Sequence, residues 1–320
     1  MPVVHHLTAL NDLSGAAVSK AHATGNDFVM LMDPRAEWEL SAEQVAALCD
    51  RHLGLGADGL IRAVPAHRAN DPEVSALLTA KPELASTDVA PVWFMDYRNG
   101  DGSLAEMCGN GVRAFALSLE AEGLLQLDAG EDVVIVTRAG TRTIRKVVGG
   151  YAVGMGVWAF IDPELAQQGA SDSLVMAAGI ADPRPALSIS MGNPHTVVAL
   201  PDIEALDAVD LREKPTVDPE PPHGTNVEFV VPAEPLVSDG VGRVHMRVHE
   251  RGVGETMSCG TGACAAAAAV RVWAGEDAVS TWDVVVPGGE VTVRFLPRAD
   301  GAEEVELSGP AERVIAGTLQ

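Results

Sequence analysis

Four cysteines in 320 residues are too few for a disulfide-framed fold and suit a reducing compartment. Cationic residues are also scarce, 22 Lys and Arg against 45 Asp and Glu, for a formal net charge of −23. So acidic a chain repels phosphate backbones, which sets nucleic acid aside as an expected partner. No uninterrupted apolar run reaches the roughly 18 residues of a membrane span. The start, Met1 to Gly15, has no basic segment followed by an apolar one, so no secretion signal is expected. A cytoplasmic protein that does not enter membranes is the expectation. The composition, 47% hydrophobic and 21% charged, is that of an ordinary globular chain. At about 150 residues per domain the length suggests two domains.

The chain carries an internal repeat. Cys108-Gly109-Asn110-Gly111 and Cys259-Gly260-Thr261-Gly262 share a Cys-Gly-x-Gly core. After the first, apolar residues fall at Val112, Phe115, Ala116 and Leu119; after the second, at Ala263, Ala266, Ala267 and Val270. Both sets follow the spacing of one helix face. Gly123 and Gly275 stand where a glycine ends each helix. Upstream, Gly25-Asn26-Asp27-Phe28 resembles Gly192-Asn193-Pro194-His195, and Gly56-Ala57-Asp58 resembles Gly224-Thr225-Asn226. From Gly56 to Cys108 is 52 residues, against 35 from Gly224 to Cys259. The excess contains Pro65 to Pro91, rich in Pro, Ala, Asp and Ser, which reads as an insertion on a surface loop.

Ser41-x-x-Gln44 predicts a capped helix running to about His52. Segments 92–97, 133–137, 227–231, 241–249, 284–286 and 291–295 read as strands, being rich in β-branched or aromatic residues. Asn99-Gly100-Asp101-Gly102 and Pro287-Gly288-Gly289 read as turns. The economical architecture is α+β: two pseudo-symmetric domains, each a sheet wrapped around a central helix that starts after a cysteine. The expected division is 1–150 with 305–320, carrying Cys108, and 151–304, carrying Cys259. The active site is expected in the cleft between them.

A helix N-terminus offers unpaired N–H groups and about half a positive charge. A thiol there is expected to ionise more readily, and the same N–H groups can hold a carboxylate. Two such turns facing one amino acid would allow one thiolate to remove the α-proton while the opposite thiol protonates the other face. That is a two-base racemase or epimerase. The charge developing on the carboxylate would be stabilised by N–H donors, each worth roughly 2.7–4 kcal/mol in sites of this kind. Cys49 and Cys264 lie within helical patterns and read as buried apolar residues.

Other signals carry less. Gly54-x-Gly56-x-x-Gly59 matches a dinucleotide fingerprint but follows a helix and precedes a strand, the reverse of what phosphate binding needs. Gly260-Thr261-Gly262 lacks the lysine of a phosphate loop. His245 and His249 share a strand face beside Glu250, but no third ligand stands at a recognisable spacing, so no metal is expected and solvent-facing histidines are. His5-His6 reads as a terminal pair outside the fold.

Several segments together resemble the diaminopimelate epimerase family: Met107-Cys108-Gly109-Asn110-Gly111, Glu250 to Thr256 followed by Cys259-Gly260-Thr261-Gly262, Gly25-Asn26-Asp27-Phe28, Asp50-Arg51-His52 with Gly56-Ala57-Asp58, Asn99 to Ser103, and Met191-Gly192-Asn193-Pro194-His195. The resemblance runs through nearly the whole chain in the family's order. It implies no cofactor and interconversion of LL- and meso-2,6-diaminopimelate, in lysine and peptidoglycan-precursor biosynthesis. It implies Cys108 and Cys259 as the acid–base pair, with His195 and Glu250 assisting. Gly109, Asn110, Gly260 and Thr261 would hold the reacting carboxylate, and Asn26, Asn99, Asn193, Asn226 and Arg251 the rest of the substrate. A homodimer is expected, as is common for enzymes of this size. One form of the family's pattern has Gln where this chain has Gly59, so the side-chain contact there is missing or replaced. The competing readings are a proline or hydroxyproline racemase of the same fold, a thiol redox protein, and a binding protein without turnover. The first would carry His at Asn110, and the second would want Cys-x-x-Cys.

Overall fold

A computed structural model describes residues 10–85 and 91–320. His5-His6 and residues 86–90 of the Pro65–Pro91 segment lie outside the described residues. The chain forms two compact units, one running to Val153 and taking in Pro310–Gln320, the other spanning Gly154–Gly309.

The first unit holds strands β1 (Ala17–Ala23), β2 (Asn26–Met32), β3 (Gly59–Pro65), β4 (Trp93–Asn99), β5 (Asp132–Thr137), β6 (Gly140–Val147) and the start of β7 (Gly150–Val157). Its helices are α1 (Ala42–Cys49), α2 (Pro72–Ala80) and α3 (Gly109–Ala121). From β1 to β7 the neighbours pair antiparallel, parallel, antiparallel, parallel, antiparallel and antiparallel. The C-terminal strand, Glu312–Thr318, pairs with the free edge of β1. Division at Gly309/Pro310 has a plain cause: the strand at 303–309 is laddered into the second unit, and only the C-terminal strand beyond it pairs with β1.

The second unit adds β8 (Ala159–Phe160), α4 (Pro163–Gly169), β9 (Ser173–Met176), β10 (Arg184–Ser190), β11 (Pro194–Ala199), α5 (Ile203–Ala208), β12 (Thr216–Asp218), β13 (Asn226–Ser238), β14 (Val241–Glu250), β15 (Gly254–Thr256), α6 (Gly260–Ala274), β16 (Thr281–Val286), β17 (Gly289–Pro297) and β18 (Glu303–Gly309). The run β10-β11-β13-β14-β16-β17-β18 repeats the same alternation of parallel and antiparallel pairs. The repeat read from glycine and cysteine spacing is therefore a repeat of topology.

Each sheet wraps one helix. Helix α3 packs on β1, β2, β3, β4, β6 and the C-terminal strand, and α6 on β10, β11, β13, β14 and β16 to β18. The predicted α3 face, Val112, Phe115, Ala116 and Leu119, is wholly buried. Helix α6 buries Ala263 and Ala265 to Ala269, so its surface toward the sheet is almost entirely methyl groups. Gly123 follows α3 with a φ of +65°, which a side chain rarely adopts.

Two expectations are corrected. Helix α1 has its capping box but stops at Cys49, because the Asp50 carboxylate accepts the N–H groups of His52 and Leu53 and turns the chain. Cys49 is therefore the last residue of the helix, not a middle one. The Pro65–Pro91 segment is not simply a surface loop: α2, capped by Asp71, packs Val74 against Phe94 and Val136. Arg138 bridges Asp71 at 2.9 Å and Asp96 at 2.5 Å, tying α2 to the sheet.

Candidate active site

Each unit builds its cysteine turn in the same way. Cys108 is the N-cap of α3, and its sulfur accepts the Gly111 N–H at 3.4 Å. Cys259 is the N-cap of α6, and its sulfur accepts the Gly262 N–H at 3.4 Å. Gly109 and Asn110 in one unit, Gly260 and Thr261 in the other, thus occupy the first helical turn, where backbone N–H groups lack intrahelical partners.

In the first unit Asn26 joins the turn. Its side-chain oxygen faces the Cys108 sulfur at 3.5 Å and accepts the Asn110 amide at 3.4 Å. Its own amide donates to Asp58 at 2.8 Å. Arg51 donates to Asp58 at 2.6 Å and to both oxygens of Asp27 at 3.0 and 3.1 Å, while Lys20 lies 2.9 Å from Asp27. Burial works against ionisation of Asp27, but the Arg51 and Lys20 contacts outweigh it and hold its carboxyl at about 2. Fully buried Arg113 donates to Asn110 Oδ1 at 2.5 Å and to the Pro310 carbonyl at 3.3 Å, linking the turn to the C-terminal segment. Asn99 lies at the exposed end of β4, opposite Gly59, with its amide on Ser103 Oγ at 3.0 Å. Neighbouring Gly100 donates to the Asp58 carbonyl, which places the Asn99 turn at the Asn26 end of the sheet.

In the second unit His195 is buried, with Nδ1 2.7 Å from Glu228 Oε1 and Nε2 3.1 Å from Asn193 Oδ1. The Asn193 amide donates to Thr261 Oγ1 at 3.4 Å, and that hydroxyl lies 3.6 Å from the Cys259 sulfur. Asn226 accepts the Arg251 backbone N–H at 2.9 Å. The Arg251 guanidinium donates to the His223 carbonyl at 2.7 Å, and Glu250 accepts the Thr256 hydroxyl at 2.5 Å.

The two thiols sit on different floors. A methyl group on Gly111 would meet Ile61 at 2.9 Å and Phe28 at 3.5 Å. One on Gly262 would meet Glu228 Oε1 at 2.7 Å and the Cys259 sulfur at 3.2 Å. The expected ease of ionisation fails for Cys259. Burial pushes its thiol well above the ordinary range, the carboxylates of Glu250 and Glu228 push it further, and the Thr261 and Gly262 contacts only partly offset them. Burial likewise raises the Cys49 thiol to about 12.

Sequence reasoning missed Glu228, and gave no role to Arg51, Asp27, Asp58 or Arg113. For Glu228 a signal existed: it is the single charge within the apolar run Val227 to Val231. His249 was expected to face solvent. Instead it is buried, its Nδ1 2.9 Å from the Leu211 carbonyl. Among the described residues no group of three or more His, Cys, Asp and Glu side chains could hold a metal ion. At Gly59 a methyl group would lie 2.5 Å from the Arg98 carbonyl and 2.8 Å from the Tyr97 ring, so the space beside this position is already filled.

Paired wrapped-helix units with a cysteine capping each helix place the chain in a known α+β class. Its fold is shared with a phenazine biosynthesis protein of the PhzF family from Bacillus anthracis, at a TM-score of 0.65 and 16% identity, over 95% of this chain and 99% of that one. It is also shared with a hydroxyproline epimerase from Agrobacterium vitis, at a TM-score of 0.58 and 13% identity, over 95% of this chain and 92% of that one. The model of the diaminopimelate epimerase family matches residues 18–161 and 187–314. The diaminopimelate epimerase of Rhodococcus erythropolis is 43% identical over 305 residues, 94% of this chain and 95% of that protein. The chain belongs to the diaminopimelate epimerase family.

Proposed function

We propose that the protein interconverts LL- and meso-2,6-diaminopimelate by moving one α-proton between two cysteines, without a pyridoxal cofactor. One thiolate takes the α-proton and becomes a thiol; the other thiol gives its proton to the opposite face of the carbon and becomes a thiolate. One C–H bond breaks, one forms, and no electrons leave or enter. The reaction asks for one sulfur on each face of the α-carbon, and Cys108 and Cys259 are the pair.

The observation that carries this reading is the matched capping of α3 and α6, with a sulfur and a cluster of first-turn N–H groups in each. The N–H groups of Gly109, Asn110, Gly260 and Thr261 would hold the reacting carboxylate and stabilise charge spreading into it as the α-proton leaves. Asn26, Asn99, Asn193 and Asn226 would bind the rest of the substrate. Arg251 suits the distal carboxylate, since a guanidinium can bind it through two parallel hydrogen bonds. His195 and Glu250 would assist on the Cys259 side, where Glu250 already influences the thiol.

The reaction would serve lysine and peptidoglycan-precursor biosynthesis in the cytoplasm. Among the described residues no helix is long and apolar enough to cross a membrane. A homodimer is the proposed form, which light scattering on a sizing column tests.

The deciding experiment is incubation of LL-diaminopimelate in heavy water. Meso product carrying deuterium at one α-carbon is expected. Turnover of proline with none of diaminopimelate would overturn the reading.

A further inference from the structure

The floor beneath Cys259 contains a buried acid that the proton transfer itself does not call for. Glu228 and His195 are both wholly inaccessible to solvent, and their contact is 2.7 Å. The second oxygen of Glu228, Oε2, is buried with no hydrogen-bond partner among the described residues. Leaving a carboxylate oxygen so placed is costly, because an ionised acid in a dry interior needs partners. Packing does not require it. In the first unit the same position under the first helical turn is filled by the apolar side chain of Ile61, beside Phe28.

From this carboxylate a chain of polar contacts leads to the sulfur. Glu228 faces His195 Nδ1; His195 Nε2 faces Asn193 Oδ1 at 3.1 Å; the Asn193 amide donates to Thr261 at 3.4 Å; and the Thr261 hydroxyl lies 3.6 Å from Cys259. A carboxylate accepts only, so facing one it fixes a ring proton on Nδ1; Asn193 Oδ1 also accepts only, so Nε2 donates to it, and the ring is held at both nitrogens. Orientation of the ring then fixes the Asn193 amide, whose two ends differ, and with it the Thr261 hydroxyl.

We infer that Glu228 is a positioning residue of the epimerisation: it holds His195 with a proton on Nδ1 and, through Asn193 and Thr261, sets the polar surroundings of the Cys259 sulfur. Its counterpart in the first unit is apolar, so the two halves of a nominally symmetric reaction are chemically unequal by construction. Glu228 touches neither reacting carbon nor sulfur in this scheme. The inference rests on the epimerase reading above.

The test uses Glu228→Leu and Glu228→Gln in the full chain. Glu228→Leu leaves the buried His195 Nδ1 without its carboxylate, so it is expected to fold with a lowered melting temperature, the apolar side chain filling the space as Ile61 does in the first unit. Its kcat is expected to fall about ten- to a hundredfold, the usual loss when the partner orienting a functional histidine is removed. Glu228→Gln keeps an oxygen acceptor and is expected to lose less. Isotope-edited NMR of the ligand-free wild type should show an Nδ1-bound proton on His195, assigned by its loss in His195→Gln, and absent in Glu228→Leu. A folded Glu228→Leu protein with wild-type kcat, or a wild-type ring carrying its proton on Nε2 alone, overturns the inference. If Glu228→Leu does not fold, the kcat of Glu228→Gln and the wild-type NMR signal decide. If the wild type does not turn over diaminopimelate, the functional reading fails separately, and the NMR signal still decides whether Glu228 sets the ring.

Discussion

Asn26 presents its side-chain oxygen to the Cys108 sulfur at 3.5 Å because its amide nitrogen is committed to Asp58 at 2.8 Å. An asparagine side chain can be turned end for end, and the Asp58 contact removes that freedom. Asp58 is itself fixed by Arg51 at 2.6 Å. Asp58→Ala is therefore expected to lower kcat/KM about tenfold, or 1.4 kcal/mol in transition-state stabilisation, with an unchanged circular dichroism spectrum. Wild-type kinetics in this variant would show that the orientation of Asn26 does not matter to the reaction.

Replacing either capping cysteine should be far more severe. Cys108→Ser and Cys259→Ser are expected to lose nearly all epimerisation, since a hydroxyl is a much weaker acid–base group near neutral pH. Cys49→Ser is expected to cost stability alone, because that thiol is buried at the end of α1. Initial rates and thermal melts of the three variants separate the two outcomes.

Thiol reactivity should follow protonation, as only the thiolate attacks an alkylating agent. Burial raises both the Cys259 thiol and, to about 12, the Cys49 thiol. In the ligand-free protein Cys259 should be alkylated slowly near neutral pH and faster as the solution becomes strongly alkaline. Rapid labelling of Cys259 at neutral pH, read by peptide mass spectrometry, would contradict this. The same shifts affect folding. Both folded thiols hold protons more tightly than unfolded ones, so their contribution is complete below the ordinary thiol range and is lost as pH rises through the folded values.

At the acid end the sign reverses. The Asp27 carboxyl is held at about 2, below its ordinary 3.8, so its contribution is complete above the ordinary value and lost as pH falls toward 2. Asp27→Asn should lower stability at neutral pH and flatten the dependence of denaturation midpoint on pH between these limits. An unchanged slope in urea titrations across that window would remove Asp27 from the account.

Gly59 offers a packing test. Gly59→Gln introduces the residue that one form of the family's pattern carries, but its Cβ would press on the Arg98 carbonyl and the Tyr97 ring. A loss of roughly 1–3 kcal/mol is expected, as for other overpacked positions. Gly59→Gln combined with Tyr97→Ala should recover part of it, because the ring is the movable obstacle.

The cysteine turns were legible because everything that defines them is local: a cap, two glycines and a helical stripe within a dozen residues. Repetition of that signature, with Asn26 and Asn193 upstream, made the two-unit architecture legible as well. The Lys20–Asp27–Arg51–Asp58 cluster was not, since its members come from β1, β2 and the loop between α1 and β3 and meet only when the sheet forms. Glu228 looked like an ordinary strand residue because alternation shows which side a residue faces and not whom it meets there. The thiol of Cys259 was misjudged for a related reason: a helix terminus can be read from sequence, whereas the burial and the two carboxylates that outweigh it cannot. Helix α2 was lost in a stretch whose prolines and short polar residues resemble a loop, although Asp71-Pro72 is a good helix start.

Helix α6 lies against its sheet through little more than methyl groups, so its side of the contact has almost no rotamers with which to adjust. The sulfur at its tip inherits that immobility. Enlarging an alanine two or three turns away, at Ala267 or Ala269, is expected to push the rod from its seat and shift Cys259 with it, so the proposed chemistry would be detuned from the buried interior.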